Sequence, residues 1–97
     1  MASLELACYG VLARVWLEGG RPEAVTLAQC VVAAAQHLRI ADGAGLDLVS
    51  IRGNLLTWDD SLLNHAGERI IVIPAESCPL EFTMYQVPEA LKAAPML

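Results

Sequence analysis

The chain opens on an alternation of apolar and polar positions. In Leu4-Glu5-Leu6-Ala7-Cys8-Tyr9, the residues Leu4, Leu6 and Cys8 share one face, a period of two that predicts a strand ended by Gly10. Ala13, Val15 and Leu17 then alternate with Arg14, Trp16 and Glu18 up to Gly19-Gly20, which predicts a second strand folded back as a hairpin. Further on the period lengthens. Leu27, Val31, Ala34 and Leu38 fall on one helical face with Cys30 beside them. Thr26-Leu27-Ala28-Gln29 fits a capping box at the start of that helix, and a start further upstream with Pro22 at the first helical position is also compatible. Asp42-Gly43-Ala44-Gly45 supplies turn residues after it.

A strand over 48–52, a Gly53-Asn54 turn and a short return through Leu55-Leu56-Thr57 follow, then a turn around Asp59-Asp60-Ser61 and a strand over 68–73. Ile70-Ile71-Val72-Ile73 is apolar on both faces, as a central strand of a mixed sheet requires. Beyond residue 76, Leu80, Phe82 and Met84 alternate with Glu81, Thr83 and Tyr85, again a strand period. Pro88-Glu89-Ala90-Leu91-Lys92-Ala93 fits a helical turn with proline at its start. This tail either packs on its own sheet or adds to the sheet edge of a partner.

The stretch LVSIRGNLLTWDDSLLNHAGERIIVIP (48–74), with Leu63-x-x-x-Gly67-Glu68-x-Ile70 leading into its last strand and Pro74 after it, resembles the closing half of the small ubiquitin-like sulfur carriers of molybdopterin and thiamin synthesis. The resemblance spans about residues 4–77. It implies an α+β fold, a ubiquitin-like β-grasp with one main helix packed across a mixed four- to five-stranded sheet. On this reading the domain covers 1–75 and an extension covers 76–97. It also implies another placement of the second strand, near Glu23-Ala24-Val25, with 11–18 as a connector. The carriers work through a C-terminal Gly-Gly, because glycine threads a narrow partner channel in backbone conformations closed to other residues. Here the last glycine is Gly67, Ser77, Cys78 and Pro79 fall where the glycines belong, and Ala94-Pro95-Met96-Leu97 is stiff and bulky. Sulfur carriage in the usual form is therefore not expected.

Composition narrows the function classes. A length of 97 residues makes one domain. A hydrophobic content of 56% and a mean hydropathy of +0.48 leave apolar surface for a protein partner or a second copy. No apolar run reaches the roughly 18 residues of a membrane helix, and no basic segment precedes the first apolar stretch, so the expected location is cytoplasmic. A net charge of −5 with Arg14, Arg21, Arg39, Arg52, Arg69 and Lys92 scattered along the chain argues against nucleic acid.

Candidate chemistry adds little. Cys8 and Cys30 fall on apolar faces and read as core residues, which leaves Cys78 as the accessible thiol. His37 and His65 have no partners at zinc-ligand spacing, and His37 suits the carbonyl end of the helix. Asp59-Asp60 reads as a turn or helix cap. No cofactor fingerprint is present, since Gly43 and Gly45 lack the strand that one requires before them.

The expectation is a non-enzymatic ubiquitin-like interaction domain without cofactor or metal. The resemblance implies contacts through the exposed sheet face and tail, with Arg14, Trp16, Arg52, Cys78, Phe82 and Tyr85 as contact residues. Two alternatives stay open. One is an atypical sulfur carrier using Cys78 or a processed carboxylate. The other is a small assembly subunit of a phage tail or enzyme complex, including a homo-oligomer built by tail exchange.

Overall fold

In the computed structural model the first alternation becomes strand β1 (Ser3–Cys8), with Leu4, Leu6 and Cys8 buried. Strand β2 (Val11–Leu17) buries Ala13, Val15 and Leu17 and pairs antiparallel with β1, Cys8 opposite Val11. Tyr9 and Gly10 form the connecting turn, both at positive φ (47° and 82°), the pattern of the two-residue turn that matches strand twist. The hairpin is thus the correct placement of the second strand, and Pro22–Ala24 is a separate 3₁₀ turn. The structure describes residues 2–40, 45–79 and 85–96, the stretch 75–79 as backbone only.

Helix α1 (Leu27–Leu38) starts at the Thr26 capping box and ends at Arg39, whose N–H still reaches the carbonyls of Ala35 and Gln36 and whose left-handed φ of 59° turns the Ile40 N–H back to the Ala35 carbonyl (3.0 Å). The chain therefore leaves the helix before the glycine-rich stretch. Of that stretch, 42–44 lies outside the described residues and Gly45 opens strand β3 (Gly45–Ser50). Ile51, Arg52 and Gly53 belong to the turn rather than to the strand, and β4 (Leu55–Leu56) is the short return. A 3₁₀ turn over Leu62–His65, capped by the Ser61 hydroxyl, leads to strand β5 (Arg69–Pro79). The segment expected to be a helical turn after Pro88 instead turns at Glu89-Ala90 and becomes strand β6 (Leu91–Met96).

The fold is α+β, one main helix across a mixed six-stranded open sheet ordered β4-β3-β5-β1-β2-β6. The expected count of four to five strands is too low, because β6 adds a strand beside β2. Among the described residues only β1 and β5 run parallel; the other neighbours are antiparallel. β5 is interior, as its apolar run requires, with Ile70 and Val72 buried in the core. Leu27, Cys30, Val31, Ala34 and Leu38 of α1 close one core with Leu6, Val15, Leu48, Ile70 and Leu91 of the strands. Burying side chains of this size stabilises by about 1.5–3 kcal/mol for each of the larger ones.

β6 is an edge strand whose register decides which way its backbone points. The Glu18 N–H donates to the Ala90 carbonyl (2.8 Å), and Leu17 stands opposite Leu91. Antiparallel strands alternate the direction of their hydrogen bonds residue by residue. Lys92, Ala94 and Met96 therefore face β2, while Leu91, Ala93 and Pro95 face outward. The Leu91 N–H is taken by the Pro88 carbonyl (3.0 Å), and Pro95 has no N–H to offer. Pro95 thus costs the ladder nothing and blunts the free edge.

Among the described residues no helix is long and apolar enough to cross a membrane.

Candidate functional site

Helix α1 packs on one face of the sheet, and among the described residues no helix packs on the other, the open face. The register gives that open face a layered pattern. Val49 of β3 stands opposite Ile71 of β5, Ile71 opposite Ala7 of β1, Ala7 opposite Leu12 of β2, and Leu12 opposite Met96 of β6. This row is apolar across five strands, and every member is half-buried. The adjacent row is charged. Glu5 stands between Arg69 and Arg14; Arg69 donates from Nε and Nη2 to Glu5 Oε2 (3.0 and 2.9 Å), and Arg14 Nη2 lies 3.5 Å from Oε1. The two guanidinium groups, Arg69 foremost, hold the Glu5 carboxyl below its ordinary pKa. One row further, Trp16 lies between Ser3 and Lys92, and its indole N–H donates to Glu18 Oε1 (3.2 Å).

Of the six contact residues expected from sequence, Arg14 and Trp16 come together, two positions apart on the open face of β2. Arg52 is exposed in the β3–β4 turn. Its strand is three places from β2 in the sheet, roughly 14 Å at ordinary strand spacing, so it does not join them. Tyr85 is half-buried in the segment leading towards β6. Cys78 belongs to the β5 backbone with its side chain outside the described residues, as is the whole of Phe82.

Cys8 and Cys30 are buried free thiols, as their apolar faces predict. Burial raises the pKa of both, that of Cys30 to about 12, so neither is a nucleophile at neutral pH.

Sequence reasoning missed a second constellation. His65, at the end of the 3₁₀ turn, is 8% exposed. Its Nε2 lies 2.5 Å from Asp60 Oδ2 and its Nδ1 lies 3.0 Å from Glu68 Oε2. Asp60 also accepts from the Ser61 N–H (2.9 Å) and the Asn64 amide (2.8 Å) through Oδ1. Burial opposes the charged ring, but the hydrogen bonds and charges of Asp60 and Glu68 outweigh it and raise the His65 pKa above the ordinary imidazole value. Asn64 and His65, with the Ser61 N–H, lower that of Asp60. Asp60 is therefore more than the turn former its position suggests. With both ring nitrogens engaged by carboxylates, His65 offers no free nitrogen to a metal. Among the described residues no group of three or more His, Cys, Asp or Glu is arranged to hold one.

No protein-family model matches this sequence, and no curated protein and no solved structure is significantly similar to it.

Proposed function

We propose that this chain is a non-catalytic, ubiquitin-like β-grasp domain, related in pattern to the small sulfur carriers, that binds a protein partner through its open sheet face. The observation that carries the reading is the uncovered apolar row Val49–Ile71–Ala7–Leu12–Met96, flanked by Arg14 and Trp16. The row is half-buried and keeps part of its apolar surface accessible beside polar groups, the setting of many interaction sites, and Trp and Arg dominate binding hot spots. The helix-on-sheet arrangement, with parallel β1 and β5 side by side in the interior, supports the β-grasp assignment.

A carrier reading has less support. The stretch Ser77-Cys78-Pro79, where a carrier would begin its glycine tail, continues strand β5, with Pro79 opposite Gly45. Homo-oligomerisation by strand addition at β6 is also disfavoured, because the outward edge there has few free donors.

The test replaces Leu12 and Trp16 separately by glutamate, in full-length chain recovered from its own host by affinity purification. A protein recovered stoichiometrically with the wild type should be lost from both variants while their melting temperatures stay near wild type. Retention of that protein by both variants would show that binding does not use this face.

A further inference from the structure

The connector over 57–68 ties three parts of the fold together. Its Asp60 and Trp58 carbonyls accept the N–H groups of Leu27 and Ala28 at the helix start (2.8 and 3.1 Å). The Leu62 N–H donates to the Val25 carbonyl (2.8 Å). At the far end the Gly67 N–H donates to Ser3 (2.6 Å), and the Glu68 carbonyl accepts from Glu5 (3.0 Å) where β1 meets β5. In the middle of this connector sits His65, a carboxylate on each ring nitrogen.

A neutral imidazole has one N–H and one lone pair, so it can satisfy only one of two carboxylates. The arrangement is complete only for the imidazolium. We propose that Asp60, His65 and Glu68 form a proton-operated clasp: the charged ring binds the connector to itself and to the entry of β5, and loss of its proton to solvent releases Glu68 and loosens the connector. Glu68 is the group that leaves. Its side chain is 54% exposed and has no other hydrogen-bond partner among the described residues, whereas the Asp60 side chain is 29% exposed and held by Ser61 and Asn64. The neutral ring then keeps its N–H on Nε2, towards Asp60, and turns a lone pair on Nδ1 towards Glu68.

The neighbouring charges are Arg52 and Asp59, with the Glu5–Arg14–Arg69 cluster on the open face. The first turn of α1 contains no acidic residue. Arg52, from the β3–β4 hairpin, lines the concavity beside His65 and Glu68 with Ser50, Asn54 and Leu56. Asp59 is exposed next to Asp60, and Glu5, Arg14 and Arg69 are engaged with one another on the open face.

The direction with pH follows. A raised imidazole pKa means that the His65 contribution is fully present below about 6.5, the unfolded value, and is lost as pH rises through the higher folded value. The Asp60 contribution has the opposite sense, present above its ordinary value near 4 and lost as pH falls through the lower folded one. The clasp is closed in mildly acidic solution and opens on the alkaline side.

The experiment combines ring ¹⁵N spectra of His65 with amide hydrogen exchange on the full chain across pH 5 to 9. Near pH 6 both ring nitrogens should carry protons, and the ring should titrate with a midpoint above 6.5. The protection factors of Leu62 and Gly67, which already correct for intrinsic pH effects, should fall about tenfold in step with it. Glu68→Gln, at an exposed position that should not disturb folding, should lower the midpoint and flatten the Gly67 step. A ring found neutral at pH 6, or protection that stays level through the titration, would overturn the proposal.

Discussion

Thr26 and Gln29 are hydrogen-bonded to each other twice. The Thr26 N–H donates to Gln29 Oε1 (3.0 Å) and the Gln29 N–H donates to Thr26 Oγ1 (3.3 Å). The Gln29 amide then donates to the Gln86 carbonyl (3.0 Å), so the residue that completes the cap also holds the approach to β6. Thr26→Ala should cost about 1 kcal/mol, a drop in melting temperature of roughly 4–8 °C for a domain of this size. Calorimetry on the variant checks it, and an unchanged melting temperature would mean that the cap contributes nothing.

Tyr9 is the first central residue of the β1–β2 turn at a φ of 47°, a conformation disfavoured for a bulky side chain, and it is 80% exposed. Asparagine adopts that conformation readily in such turns. Tyr9→Asn should therefore stabilise, by about 0.5–1 kcal/mol, read as a higher urea midpoint at constant slope. A lower midpoint would show that the aromatic ring makes contacts worth more than the relieved backbone.

Cys8 and Cys30 should resist modification in the native state, because a buried thiol with a raised pKa is both inaccessible and protonated. Titration with an aromatic disulfide reagent should label no more than one of the three cysteines until denaturant is added. Early labelling of a second thiol, mapped by mass spectrometry to Cys8 or Cys30, would contradict the packing beneath the helix.

Pro95 faces outward from β6, where a secondary amide would offer a donor to a neighbouring chain. Pro95→Val should leave the melting temperature near wild type and raise the weight-average mass in sedimentation equilibrium as concentration increases. A monomer at every concentration would mean that something other than the proline guards this edge.

Much of this architecture was legible in local pattern. The β1–β2 alternation and the Thr26–Gln29 box read directly because each depends on neighbours within a few residues. The interior position of β5 followed from Ile70 to Ile73. β6 was misread for a physical reason. Pro88-Glu89-Ala90-Leu91 has the composition of a helix start, and the strand arises only from pairing with β2, with Trp16 opposite Lys92. Missing that strand also made the sheet too small. His65 was opaque for a similar reason, since Asp60 five residues before it and Glu68 three after it meet its ring only through the 3₁₀ turn. Arg14 and Trp16 could be placed on one face from their spacing. The apolar row beside them could not, because it is assembled from five strands in register.

The β1–β2 hairpin lies between β5 and β6, strands that follow it by more than fifty residues. The hairpin can form by itself within microseconds. Its two flanks, however, require closure of long loops, Glu5 finding Arg69 and Leu12 finding Met96. Such distant pairing slows folding relative to a helical domain of equal size. The rate-limiting event should be the arrival of those flanking strands, so substitutions inside the hairpin turn should change the unfolding rate less than the folding rate only if that turn is already set when they dock.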